Sequence, residues 1–474
     1  MTTKSSLAEP SEAMAHPIPR RSWLTLWTTS LVGFMVSLEI TVIALALPEI
    51  RLAFNTSAES TLSWIITAYN IGLAALLLVA GWAADRFGRK RLFLTGLVVF
   101  AIGSALAGAA PNVGVLIGAR LVQSIGGAMQ FPSGLALLLA AFPPQRRQMA
   151  IGVWGAMGGL AAAVGPPLGG FLVGGFGWRS VFWVNVPIAL AATAGGNRWL
   201  TESRSGEIPS RVDLISIPLG TIGVGSIVAG IVKAPDWGWS SGQTITVFAI
   251  GAALIALFVY RSKHHESPLF DLDLFKARSY TLGNLGSVCF VVAFFAYFVP
   301  LPTFIQQIWG WSVLETGLIL IPGPLLAALL SPVSGRLADR FGVAPVLTIG
   351  GVAGAASMTL HLLLTGIEPA ALQGMVLPGT VLGISAGFSF AMLVGATMQD
   401  VAPGQFAMAG AGRTTVFQLS IAMAIAVGVA IIGRPAGAAD HLDAIRVVWL
   451  LALVLFVSQA VIFGVLFPAP SSTR

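Results

Sequence analysis

Fourteen apolar runs, each near the roughly 20 residues an α-helix needs to cross a hydrocarbon core, leave this chain little to become but a polytopic helical membrane protein. They lie near 23–47, 60–82, 91–109, 112–140, 148–174, 179–199, 212–232, 243–261, 280–306, 314–335, 344–364, 371–396, 406–433 and 445–467. Lipid offers no water to backbone amides, so such runs must close their hydrogen bonds internally, as helices. The composition agrees: of 474 residues 56% are hydrophobic and 9% charged, whereas about a quarter of a soluble domain is charged.

Inside this pattern one unit occurs twice. Gly81-Trp82-Ala83-Ala84-Asp85-Arg86-Phe87-Gly88 returns 254 positions later as Gly335-Arg336-Leu337-Ala338-Asp339-Arg340-Phe341-Gly342, identical at six positions, and the first copy runs on into Arg89-Lys90-Arg91. Each octet reads as a tight polar turn in which glycine permits close helix approach and Asp and Arg bridge helix ends. The same offset maps the first six runs onto the last six and leaves the seventh and eighth over. The expected fold is therefore an all-α polytopic membrane protein: two pseudo-symmetric six-helix bundles plus a two-helix central insert. The divisions are a cytoplasmic tail 1–22, a bundle 23–200, the insert with its loops 201–276, a bundle 277–468 and a tail 469–474. Duplicated bundles of this kind place a substrate path where the halves meet.

The 26 basic residues set the orientation. Nineteen fall on the side of the N-terminus, five opposite (Arg51, Arg179, Lys233, Arg434 and Arg446), and Arg120 and Arg413 fall within spans. By the positive-inside rule both termini are cytoplasmic in a multi-pass cell-membrane protein. The net charge of +7 is scattered through short loops, which argues against a nucleic-acid partner. The first apolar run is too long for a signal-peptide core, so it is expected to stay attached. The single cysteine, Cys289, between Val288 and Phe290, reads as a small buried side chain.

Other classes find little support. None of the five lysines (Lys4, Lys90, Lys233, Lys263, Lys276) follows a glycine, so there is no Gly-Lys-Ser/Thr phosphate loop. His16, His264, His265, His361 and His441 are dispersed, which argues against a polytopic membrane enzyme or a metal centre, and no cofactor is expected. No hydrophilic stretch is long enough for a signalling domain.

Several motifs carry a resemblance. The stretch from Gly81 to Arg91 resembles the loop signature of the major facilitator superfamily, and Leu38-Glu39-Ile40-Thr41 with Ala46-Leu47-Pro48 resembles the first-helix motif of its fourteen-spanner drug:proton antiporters, with Glu where that branch has Asp. Arg120, Gln123 and Gly126 match a fourth-helix motif associated with proton coupling. Gly158, Gly165, Pro166, Gly169 and Gly170 match the fifth-helix motif that separates antiporters from uptake carriers, and Trp178-Arg179 with Phe182, Asn185 and Pro187 resembles a further signature of the branch. The resemblance implies proton-coupled efflux of small lipophilic drugs or antibiotics, cationic ones among them, by alternating access. A dedicated exporter of one metabolite or self-made antibiotic stands as the alternative, ahead of an uptake carrier. Partners are then protons, such substrates and membrane lipids.

The residues themselves support that reading. Glu39 lies about 24 Å along the first helix and Arg120 about 12 Å into the fourth from the opposite face, so the two share nearly one level. Intramembrane charges are costly unless they face the bundle interior and find a counter-charge; the pair is the candidate proton-coupling site, or else a static tie between helices one and four. Pro166 bends the fifth helix, and the glycines around it give a smooth face for a gate or seal. Gly81, Asp85, Arg86, Gly88, Arg89, Gly335, Asp339, Arg340 and Gly342 are the candidate gating residues. Candidates for the substrate cavity are Trp64, Tyr69, Asn70, Gln123, Gln130, Trp154, Met157, Asn284, Phe294, Tyr297 and Gln306, where aromatic faces hold cations and amides adapt to varied polar groups. Arg413, near the cytoplasmic end of its helix, is placed so that it could snorkel outward, and Glu315, at an outer mouth, reads equally as solvated or as a substrate contact.

Overall fold

The computed structural model describes residues 18–54, 59–204, 213, 215–265, 268–432 and 437–468. Most of the first expected tail, all of the second, and the side chains of Ile40, Thr41, Pro48 and Pro166 lie outside the described residues. In chain order the helices are α1 (Arg20–Ala53), α2 (Glu59–Phe87), α3 (Arg89–Gly108), α4 (Val113–Ala141), α5 (Arg147–Phe176), the single turn α6 (Ser180–Trp183) and α7 (Asn185–Trp199). They continue as α8 (Ser216–Trp237), α9 (Gly242–His264), α10 (Arg278–Phe298), α11 (Leu301–Ile308), α12 (Val313–Leu320), α13 (Pro322–Phe341), α14 (Val343–Leu364), α15 (Leu377–Met398), α16 (Phe406–Ile432) and α17 (Ala438–Val461). Among the described residues the structure is all-helical, and ten helical stretches are long and apolar enough to cross a membrane. Helices α1, α5, α7 and α8 stand at the four remaining expected runs.

Three of the fourteen expected runs are interrupted among the described residues. The ninth breaks between Phe298 and Leu301, and the tenth at Ile321, in both cases beside a proline (Pro300 and Pro302, then Pro322) that cannot donate to the helical ladder. The sixth opens with the one-turn α6 after Gly177, whose φ of 76° ends α5.

Packing repeats from the first half to the second. Helix α1 packs on α5, α2 on α4, and α3 on α4 and α7; correspondingly α10 packs on α16, α13 on α15, and α14 on α15 and α17. The halves meet through two reciprocal pairings, α2 with α16 and α5 with α13. Helices α8 and α9 form a hairpin whose α8 leans on α2 and α16, outside both bundles. Asp213 anchors it, accepting from Arg261 Nη2 at 2.7 Å. Lys233, expected in a loop, is instead buried within α8 with its ammonium 5.3 Å above the Trp64 ring.

Candidate functional site

The strongest polar feature of the interior joins five helices. Glu39 on α1 is 2% exposed and Arg120 on α4 is 1% exposed. They form a direct ion pair through Arg120 Nη1 and Glu39 Oε1. The same Nη1 donates to Gln123 Oε1 at 2.8 Å, and Nε donates to the Ile65 carbonyl of α2 at 3.0 Å. Gln123 passes the chain on to Ser104 of α3 at 2.6 Å, while Asn185 of α7 donates to the other carboxylate oxygen at 3.4 Å. Tyr69 lies 4.3 Å beneath the guanidinium and Phe182 6.0 Å from it, so aromatic faces close the remaining sides. Gly103 permits this closeness: a Cβ there would stand 2.7 Å from the Gln123 backbone nitrogen. A charge pair so thoroughly desolvated holds only while both partners are present. The pair and its hydrogen bonds tie five helices together at this one point.

The two octets build a second arrangement, at the junction between the halves. Each ends its helix with a glycine in the left-handed region, Gly88 at φ 111° and Gly342 at φ 86°, whose N–H bonds back to Ala84 or Ala338. Each opens with a glycine at which the other half arrives: a Cβ on Gly81 would meet the Ala407 carbonyl at 2.8 Å, and one on Gly335 the Met149 Cα at 2.8 Å. Between them each aspartate caps a helix of the opposite half. Asp85 accepts from the Met408 N–H at the start of α16 at 2.9 Å, and Asp339 from the Gln148 and Met149 N–H groups at the start of α5, both at 3.1 Å. The copies then diverge. Arg89 grips Asp85 with Nε and Nη2 at 2.9 and 2.7 Å and donates onward to the Pro403 carbonyl at 2.7 Å; the residue matching Arg89 is Val343, so Asp339 has no such arm. Arg86 and Arg340 stack on their neighbours Phe87 and Phe341.

The other expected site residues are dispersed. Gln123 and Tyr69, expected in the cavity, are instead buried walls of the ion pair. Tyr297 is sealed in the second half, donating to His361 Nε2 at 2.8 Å. Phe294 belongs to an aromatic cluster with Phe290, Phe298 and Phe390. Gln130 and Trp154 do come together, beside Thr29 and Gly33, around a small cavity between α1, α4 and α5, and neither amide atom of Gln130 has a partner. Asn70, Met157 and Gln306 are half-buried, and Trp64 is exposed beneath Lys233. Asn284 is buried on α10 beside Tyr280.

Two expectations are corrected. Arg413 does not snorkel; it is 7% exposed within the helical interior. On α5, Gly158 and Gly170 are not close-packed but have room around them, whereas Gly152 and Gly155 meet Ser331, Gly335 and Ala391. Gly165 and Gly169 are buried. Glu315 is exposed, where it forms a capping box with Ser312. Residue typing alone missed Ser104, Asn185 as a ligand of Glu39, and Glu202, whose carboxylate accepts the Lys90 and Arg91 N–H groups at the start of α3. Asn185 had a signal, its place in the sixth-helix signature; Ser104 and Glu202 had none.

Membrane-length helices in a repeated packing pattern, clasped by reciprocal caps and holding a sealed acid–arginine pair, have the architecture of a multi-pass membrane protein. The model of the Major Facilitator Superfamily matches residues 29–424, and the chain belongs to that superfamily. Among curated proteins it is 34% identical over 338 residues to the tetracenomycin C resistance and export protein of Streptomyces glaucescens, covering 71% of this chain and 63% of that one. It is 36% identical over 332 residues to the multidrug resistance protein Stp of Mycobacterium tuberculosis (69% and 61% covered), and 34% over 333 residues to the multidrug efflux pump LfrA of Mycolicibacterium smegmatis (70% and 66%). The chain thus spans less than two thirds of the length of these relatives. The fold is shared with the human organic anion transporter MFSD10 (TM-score 0.65, 14% identity, 94% of this chain and 100% of that one) and with FucP in its outward conformation (TM-score 0.64, 13% identity, 93% and 99%).

Proposed function

We propose that this chain is a proton-coupled efflux transporter of lipophilic drugs or antibiotics, belonging to the fourteen-spanner drug:proton antiporters. The observation that carries the reading is the buried Glu39–Arg120 pair: it is a protonatable group whose charge state is tied to the fit of five helices. A proton taken up by Glu39 releases Arg120, the bundles rock about the α2–α16 and α5–α13 contacts, and lipophilic substrate leaves on the opposite face. The octet caps act as the gate, because each binds one half only while the junction is shut. The names of the relatives, concerned with drug resistance and export, support efflux over uptake.

The reading includes fourteen spans in two six-helix bundles, an insert over 201–276, and both termini in the cytoplasm. A cysteine at exposed Ser240 should then label from outside sealed cells and one at Arg146 should not; labelling at Arg146 reverses the orientation. The function is tested by the accumulation of a panel of fluorescent cations and antibiotics in cells with and without the protein. Lower accumulation that vanishes when the proton gradient is collapsed is expected. Lower accumulation that survives the collapse rejects proton coupling, and protection against a single compound would mark a dedicated exporter.

A further inference from the structure

Arg120 and Arg413 are the arginines placed well inside apolar runs and away from their ends, and the fold treats them oppositely. Arg120 has a carboxylate, a carboxamide and a carbonyl. Arg413, on α16, is 7% exposed; its Nε is sealed from solvent without a hydrogen-bond partner, and no ion pair among the described residues reaches its guanidinium. The contacts it makes among the described residues are aromatic. The Phe417 ring, one turn along α16, is 5.7 Å away. The Tyr280 hydroxyl from α10 also lies near it and donates to the Ala409 carbonyl at 3.1 Å, bringing a dipole but no negative charge. Asn284, one turn beyond Tyr280, is a neutral amide that donates to the Tyr280 carbonyl at 2.9 Å.

A guanidinium does not shed its proton in a protein, and an uncompensated charge in the membrane interior is among the costliest groups a fold can hold. A neutral side chain of similar length would fit the same aromatic surroundings at lower cost. The arrangement is accounted for if the counter-charge arrives with a ligand. We infer that Arg413 is an anion-binding point on the substrate path, and that the ligand is a lipophilic weak acid presenting a carboxylate. The planar fork of the guanidinium matches a carboxylate with two parallel hydrogen bonds. Phe417, with Phe390 at 6.4 Å and Phe295 at 6.5 Å from it, supplies the apolar surface for the rest of the molecule. The inference rests on the transport reading and narrows its substrate class from lipophilic compounds at large to those with an acidic group.

The test uses three probes of one shape, 2-naphthylacetate, 2-naphthylacetamide and 2-naphthylethylammonium, binding to the full-length protein in neutral detergent, followed by tryptophan fluorescence and thermal shift. Wild type should prefer the carboxylate over the carboxamide by about tenfold or more, the scale of a charge-assisted pair. Arg413→Met should abolish that preference while its ligand-free Tm stays at or above wild type, because no ion pair is lost. Arg413→Lys should keep a weaker preference. Equal binding of carboxylate and carboxamide by wild type, no binding of the carboxylate, or a preference unchanged in Arg413→Met would overturn the inference. So would a large fall in ligand-free Tm, which would show a structural partner. A stabilisation by phosphatidylglycerol that is lost in the same variant and excludes the carboxylate would make this a lipid-phosphate site instead. The binding measurements need no gradient, so a failure of proton coupling leaves this result readable.

Discussion

The two halves of the chain share their joints and differ in their interiors. At the junction both octets do the same work: a glycine for close approach, an aspartate capping the other half, a left-handed glycine to end the helix. Inside the bundles the offset that superposes the octets puts Ala293 where Glu39 stands, Gly374 where Arg120 stands, and Gly159 where Arg413 stands. The first half thus holds a closed acid–base pair. The second holds a lone cation and a neutral relay, in which Tyr297 donates to His361 Nε2 and Nδ1 faces Thr365, whose own hydroxyl goes to the Gly374 carbonyl. The repeated octets keep the same contacts between the halves, while the buried polar positions differ, so the Glu39–Arg120 pair and Arg413 lie in different halves of the chain.

That division of labour would break first at Glu39. Glu39→Gln cannot release a proton, so gradient-driven export should fall to background, a loss of at least about a hundredfold, on the scale of removing an essential proton-transfer group, while Glu39→Asp should retain activity. The check is substrate-induced proton release from detergent-solubilised protein; undiminished release from Glu39→Gln would move coupling out of the first half. Next comes stability. Arg120→Ala strands a buried carboxylate and should cost about 3–5 kcal/mol, visible as a clear drop in Tm, in contrast with the unchanged Tm expected of Arg413→Met. Equal losses would mean that both arginines are structurally paired.

The octets offer a finer comparison. Asp85→Asn keeps one oxygen to cap α16 but loses the charged grip on Arg89, whereas Asp339→Asn gives up one of its two cap bonds and the attraction of Arg146, worth about 1 kcal/mol. Transport should slow more in the first variant, with substrate affinity nearly intact in both; a matching loss of affinity would put either residue in the binding site. The smallest effect belongs to Tyr297→Phe, which removes one neutral hydrogen bond worth about 1 kcal/mol and should leave proton release per substrate unchanged. An altered stoichiometry would give the second half a proton site of its own.

The amino-acid order determined the larger facts by itself. Apolar runs of membrane length force helices, because lipid cannot satisfy a bare backbone, and the repeated octet announced two related halves. The cost of an intramembrane charge made Glu39 and Arg120 conspicuous, and similar depth suggested that they meet. Small and neutral residues gave no such warning. Nothing in the types of Gln123 and Tyr69 distinguishes a cavity wall from a sealed second partner of Arg120, because an amide or a phenol is tolerated in either place and only the neighbouring helices decide. Nor does a lone arginine near a helix end disclose whether it reaches water. Depth along one helix is a local quantity, legible from the chain, whereas the direction in which Arg413 points, and the absence of a carboxylate around it among the described residues, depend on how α10 and α16 pack, which only the tertiary structure settles.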